Sequence, residues 1–438
     1  MVRQRSWILL LLLAWMPAGI SQASADDLWR REYFTGDWGG ARTWLIEHGV
    51  GVNAAFTGDS FTNFSGGLRR GTAFLDDFDL LLGLDLERLA GCNETSFFLY
   101  GLGTQGTNPS ERYVGDAQGV SNIAAYSTWK VYEAWVERNF RERGISLLVG
   151  LYDLNTEFDA LESAGLFLNS SQGIGPEFAQ SGLNGPSIFP TTTLGLRAKW
   201  APGSRFYLES VVLNGLAGNP SHPDGTHIVL TGKPGILSTT EFAYLRQPSQ
   251  SLGPGRQKRS RIARFPVPGH VGKIAVGGWF YTARFNAIYA ETTPGSQPLI
   301  GGNHGLYMVA EQTVYGSKAS RGRCLTLFAR AGVANSRINR FGSFTGGGLV
   351  FQGLLPRRSL DESGVALAGA HNGAEYREAQ AASGVKVEGS EWNIELTYLA
   401  RLSPWLAVKF DLQHVINPNT NPALKNATAF GLRLQIVF

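Results

Sequence analysis

The sequence predicts an all-β protein, a sixteen-stranded antiparallel transmembrane β-barrel with a short N-terminal helix. Three observations carry that prediction. The chain closes on Asn426 to Phe438, where Phe430, Leu432, Leu434, Ile436 and Phe438 share one strand face while Ala429, Gly431, Arg433, Gln435 and Val437 share the other. Such period-2 alternation, apolar on one side and charged on the other, suits a strand with one face in lipid and one in a watery lumen. Elsewhere too, the charged residues of candidate strands collect on one parity. The connections between strands alternate between short and long, as in barrels with tight turns at one end and loops at the other.

From the front, Arg3 and Arg5 precede an apolar run from Trp7 to Trp15, then Pro17, Gly19 and Ala23-Ser24-Ala25. This is the layout of a secretory signal peptide over residues 1–25, with cleavage expected before Asp26. Its core is too short for a spanning helix, and no other apolar run approaches the ~20 residues one needs. The composition looks soluble, with 43% hydrophobic and 17% charged residues and a mean hydropathy of −0.09. A barrel averages out this way because only alternate strand residues meet lipid. The 55 glycines and 11% aromatics fit tight turns and aromatic girdles. The net charge of +4 drops by two with Arg3 and Arg5 and demands no nucleic acid. Cys92 and Cys324 give no disulfide framework; a single bridge and two free thiols both stay open.

Residues 26–49 read as an N-terminal segment in which Asp37 can cap a short helix and Gly49 can end it. The barrel then occupies 50–438, and no internal repeat divides it. Candidate strands lie at 50–61, 72–87, 95–104, 129–140, 144–152, 191–201, 204–214 and 235–245. The second half follows at 271–284, 304–316, 322–333, 343–353, 363–370, 390–402, 404–415 and 426–438. Arg141-Glu142-Arg143, Ala201-Pro202-Gly203 and Ser403-Pro404 are among the short turns. Arg246 to His270 breaks the rhythm and holds a basic run at 255–264, either a solvated loop or a contact with the cell envelope. The longest loop, Asp153 to Pro190, carries Phe158, Leu161, Leu166, Phe167, Ile174 and Phe178 among Gly and Asn, the composition of a packed loop.

Alternation assigns faces. In the second strand, Phe78, Leu80, Leu82, Leu84 and Leu86 point to lipid and Asp77, Asp79, Asp85 and Glu87 inward. In the fourth, Tyr132, Ala134 and Val136 point out and Glu133, Trp135 and Glu137 in. Further along, Arg197, Lys199, Lys273, Trp279, Tyr281 and Arg330 point in. So do Asn393, Glu395, Arg401, Lys409, Asp411, Gln413 and Arg433. A lipid-facing Arg or Lys near the midplane costs ~2–4 kcal/mol, which segregates the charges. Arg at Leu432 is therefore expected to impair folding, and Arg at Gly431 or Gln435 to be better tolerated.

Two motifs fail their context. Gly101-Leu102-Gly103-Thr104-Gln105-Gly106 matches G-x-G-x-x-G, but no helix follows, so it reads as a strand end and loop. The seven histidines form no H-x-x-x-H pair or Cys/His cluster, so no metal or other cofactor is expected, and no G-x-S-x-G elbow suggests an enzyme.

Longer motifs are specific. R-E-Y-F-T-G-D-W-G-G-A-R-T-W-L-I-E-H-G-V (Arg31 to Val50), L-Y-D-L-N-T-E-F-D (Leu151 to Asp159), L-F-L-N-S-S-Q-G-I-G-P-E-F-A-Q-S-G (Leu166 to Gly182), G-P-S-I-F-P (Gly185 to Pro190) and the closing G-L-R-L-Q-I-V-F resemble the carbohydrate-selective porins of Gram-negative outer membranes. The likeness runs over nearly the whole mature chain. It implies an outer-membrane porin passing small sugars such as glucose by passive diffusion, with the loop from Asp153 folded inward to narrow the pore. Sugars offer hydroxyls to charged side chains and apolar ring faces to indoles. Glu133, Trp135, Glu137, Arg197, Lys199, Trp279, Arg330 and Arg433 are therefore the candidate lumen contacts. Trp135 reads equally as a stacking platform and as a wedge under the loop. The expected partners are small carbohydrates and outer-membrane lipids, with no nucleic acid; the chain stands as a monomer or a homo-oligomer such as a trimer. A general or anion-preferring porin is the alternative within transport, and a barrel adhesin or lipid-modifying enzyme the alternative outside it.

Overall fold

The computed structural model describes residues 25–246, 272–289, 298–316 and 323–438. Residues 1–24 of the expected signal peptide and the basic run at 255–264 lie outside the described residues. All sixteen expected strands form. They are β1 Val50–Gly67, β2 Gly71–Asp85, β3 Thr95–Gly106, β4 Thr128–Phe140, β5 Ile145–Tyr152, β6 Thr193–Trp200, β7 Phe206–Asn214 and β8 Ile236–Leu245. They continue as β9 Lys273–Asn286, β10 Leu299–Tyr315, β11 Cys324–Ala334, β12 Phe341–Gln352, β13 Glu362–Asn372, β14 Ser390–Ser403, β15 Leu406–Ile416 and β16 Lys425–Val437. Each pairs antiparallel with its sequence neighbour, and β1 closes on β16.

The solvent preference of the two faces is inverted relative to a water-soluble sheet. Outward residues are apolar and exposed, as at Leu80, Val276 and Leu396, whereas inward residues are polar and buried, as at Glu137, Glu241 and Glu395. β9 alternates in this way along nearly its full length. An exposed apolar belt around buried charge is what a lipid solvent selects. No helix among the described residues is long and apolar enough to cross a membrane; the strands do the crossing.

At the seam, Phe61 lies opposite Gly431, and a Cβ at Gly431 would come within 2.7 Å of the Phe61 ring. Gly431 is thus inward but faces an occupied space, so an Arg there would meet the Phe61 ring, against the expectation of tolerance, whereas Gln435 takes no part in that contact. The seam is also clamped at the turn end. The Phe34 N–H donates to the Val437 carbonyl (2.9 Å), and Arg42 Nη2 donates to the Phe438 carbonyl oxygen (2.8 Å). Asp37 does hold the short helix Ala41–Glu47, accepting from the N–H and hydroxyl of Thr43, and Gly49 follows it with φ +87°.

Two face assignments fail, each for a local reason. Tyr132 is buried rather than lipid-facing because a bulge opposite Tyr100/Gly101 spends one extra residue, so Tyr132 and Glu133 both turn inward. β2 stops at Asp85, whose carboxylate caps the helix Leu86–Ala90, so Asp85 and Glu87 do not line the lumen. Strand G-x-G-x-x-G residues 101–106 do belong to β3. Cys92 and Cys324 are free thiols.

Candidate functional site

The lumen is narrowed by chain. The loop from Asp153 to Pro190 buries Leu154, Phe158, Phe167, Leu168 and Phe178, and most of these join one apolar cluster with the inward residues Trp135, Trp279, Tyr307 and Phe328 of four strands. The loop has only single turns of helix, so most of its backbone N–H and C=O groups lack regular partners. Where the loop is buried away from lumen water, such groups need protein partners.

Inward charges satisfy them by sign. Carboxylates take the N–H groups. Glu241 accepts from Asp159 N (2.9 Å), Glu311 from Ser163 N (3.0 Å), and Glu395 from the N–H groups of Leu168 and Asn169. Cations take the carbonyls. Lys273 donates to Ala160 O (2.9 Å) and Lys409 to Leu166 O (3.0 Å). Arg330 donates to the carbonyls of Asp159 (2.9 Å), Ser171 (3.1 Å), Gly173 (3.1 Å) and Gln172, and to the Asp159 carboxylate (2.8 Å). Six strands therefore hold one loop across the barrel. Of these anchors only Arg330 is among the eight candidate contacts; Lys273, Glu395 and Lys409 are read as inward from sequence alone, and Glu241 and Glu311 are not singled out there, although each is a lone carboxylate on the inward parity of its strand.

The other candidates brace the wall. Arg197 is fully buried and bonds the Glu137 carboxylate, Ser146 Oγ (2.7 Å) and Glu157 (3.0 Å) of the loop. Lys199 pairs with Glu209 at 2.7 Å and lies over the Tyr207 ring. Arg433 forks onto Asp59 through two 2.7 Å bonds, and Ser121 of the loop 107–127 donates to the same carboxylate. Trp135 Nε1 donates to Glu133 (3.0 Å), and its ring lies 5.0 Å from Phe98. The Trp279 ring is stacked on Phe178 of the loop, 5.0 Å apart and 6° from parallel, so that face is already covered. All eight candidates are inward, and seven are at least nine-tenths buried, which brings them together as supports of the loop and wall.

One carboxyl in the loop is exceptional. Glu177 is buried against Gly332, and its Oε2 has no hydrogen-bond partner among the described residues. Burial, and after it the Asp159 charge, push its carboxyl up to about 8. Among the described residues no group of His, Cys, Asp and Glu could hold a metal ion.

A closed barrel with a loop pinned across its lumen is channel architecture, and comparison with known proteins agrees. The family model described as "Carbohydrate-selective porin, OprB family" matches residues 69–438. The chain belongs to that family. It is an outer-membrane channel, not an enzyme. This porin is 23% identical to Porin B of Pseudomonas aeruginosa, with 93% of this chain and 91% of the relative covered. It is 22% identical to the putative porin QuiX of Acinetobacter baylyi, over 96% and 97% of the two chains. Among solved structures it resembles the high-pH structure of Pseudomonas putida OprB with a TM-score of 0.80 at 21% identity, covering 95% of this chain and all of that one.

Proposed function

We propose that this porin passes small neutral sugars such as glucose, and that its eight candidate wall residues act chiefly by fixing the pore rather than by touching the sugar. The observation that supports this is the pinned loop. Glu137, Arg197, Lys199, Arg330 and Arg433 spend their charges on the wall and the loop. Passage through such a pore is steric and weakly polar, and binding must stay weak for the solute to leave.

Trp135 carries the test. As a wedge its removal loosens the packing with Phe98 and the loop; as a platform its removal weakens sugar block. Its burial and the Glu133 bond favour the wedge. Planar-bilayer current of wild type and Trp135→Ala, titrated with glucose, is expected to give noisier, larger currents with unchanged fractional block. A selective loss of block in Trp135→Ala would restore Trp135 as a sugar contact. If wild-type current is insensitive to glucose and equally so to graded larger sugars in liposome swelling, the sugar reading itself fails and a general porin stands in its place.

A further inference from the structure

At the short-turn end, the wall from β4 to β8 finishes in one continuous edge. The Ala201 N–H donates to the Gly144 carbonyl (2.7 Å), and the Leu245 N–H donates to the Arg205 carbonyl (2.7 Å). These bonds set the turn after β4, the turn after β6 and the end of β8 side by side. Arginine recurs along the edge, with Arg138, Arg143, Arg205 and Arg246 all exposed. Among the described residues none of the four is ion-paired to a carboxylate, whereas Arg141 of the same edge is paired with Glu94 at 3.4 Å.

The wall immediately beyond this edge is aromatic on its outward face. Trp200, Phe206 and Phe242 are exposed; Phe206 stacks on Phe242 (6.0 Å) and leans on Tyr244 (5.1 Å). Arg138, on the outward parity of β4, holds its guanidinium 5.1 Å from the Phe140 ring centre. Aromatic rings of this kind mark the membrane–water interface, the level at which lipid phosphates lie. A guanidinium presents two parallel N–H groups to a phosphate and stays charged there.

We propose that this edge binds the phosphate groups of anionic phospholipid in the leaflet that the short turns face. Two observations select lipid over a soluble anion or an acidic protein. The arginines are continuous with the lipid-facing wall, and one of them points outward from that wall by strand parity. Their charge is opposite to that of the proposed headgroup, and among the described residues no carboxylate forms an ion pair with any of the four. Nothing in this depends on which solute crosses the lumen.

The experiment places the full chain in bilayers containing spin-labelled phosphatidylglycerol or spin-labelled phosphatidylcholine and measures the motionally restricted fraction. Wild type is expected to hold phosphatidylglycerol severalfold more strongly, with high salt reducing the difference. The variant Arg138→Gln/Arg143→Gln/Arg205→Gln/Arg246→Gln should lose most of that preference while keeping wild-type conductance. Equal restriction of the two lipids by wild type overturns the proposal whether or not the variant folds, as does undiminished preference in a folded variant. Inorganic phosphate, added at constant ionic strength, should leave the preference intact; if it abolishes the preference, the edge is a plain anion site and the lipid assignment fails.

Discussion

Two loops leave the same end of the barrel and meet opposite fates. The loop from Asp153 to Pro190 enters the lumen and buries most of its apolar side chains; the loop from Gly215 to Gly235 stays outside, with Leu230 three-quarters exposed. Hydrophobicity separates them only in part, since the inner loop carries four phenylalanines and the outer loop none, yet the outer loop also offers Ile228 and Leu230. The difference is the set of partners waiting for the backbone. The inner loop meets inward Glu, Lys and Arg side chains on six strands. The outer loop meets a short bare edge and, at its base, Asn184 of the inner loop, which donates to the Ala217 carbonyl (2.7 Å). β5 ends at Tyr152, so β4 above Ala134 has no β5 residue to pair with, and the Thr226 hydroxyl accepts from Val131 N–H (2.8 Å) and donates to Val131 O (2.9 Å). A loop is thus drawn inside by charged wall residues that match its N–H and C=O groups, and its apolar side chains then seal the position.

The sharpest way to break that contrast is Arg330→Ala. It removes donors to four carbonyls and strands the buried Asp159 carboxylate, a loss on the order of 3–5 kcal/mol by analogy with breaking a buried ion pair. The loop should detach while the barrel persists. Bilayer recordings should then give higher, unsteady conductance, and proteolysis should cut near Asp159; quiet wild-type currents would mean that the apolar seal alone holds the loop.

The next effect concerns the wall. Leu432 is outward and Gln435 inward, so Leu432→Arg should reduce folding into bilayers by ~2–4 kcal/mol and Gln435→Arg by much less. Gly431→Arg should fail like Leu432→Arg but for a steric reason, because Phe61 already fills the site. Heat-modifiability on gels compares the three; equal yields for Leu432→Arg and Gln435→Arg would refute the face assignment.

These positions also mark what the sequence made legible. Strand parity follows from period-2 alternation, because lipid punishes each misplaced charge, and it placed Arg197, Arg330 and Arg433 correctly. It failed at Tyr132, where a bulge adds a residue without any sequence marker, and at Asp85, where a one-turn helix begins before the apolar pattern stops. Inward direction was readable, but not what the inward groups would meet. Trp279 has the pattern of an open platform, and only the fold brings Phe178 onto it. The same holds for Glu241 and Glu311, whose partners are backbone atoms about 80 and 150 residues away in sequence.

A pH dependence sharpens the comparison from inside the pinned loop. The Glu177 carboxyl titrates at about 8 in the folded protein, raised by burial and by Asp159, against an ordinary value of 4.5. The folded state therefore holds a proton that the unfolded state has released between those two values, and stability falls as pH rises through that window, by roughly 1.4 kcal/mol per unit at most. The loop should loosen as pH rises from about 5 to about 8, seen as rising current noise. Glu177→Gln should flatten the profile; an unchanged profile in that variant assigns the titration to another group.

The smallest effect belongs to the outer loop. Thr226→Val keeps the volume of the side chain and removes both bonds to Val131, but these groups lie at an exposed strand edge where water replaces the hydroxyl. An exposed substitution of this kind is usually worth within about 0.5 kcal/mol. Conductance, glucose block and thermal stability should all match wild type, while amide exchange at Val131 should accelerate because its N–H loses a protein acceptor. A large change in conductance would mean that the loop 215–235 reaches the pore after all, and the distinction between a loop drawn in by wall charge and a loop left to cover an edge would lose its physical basis.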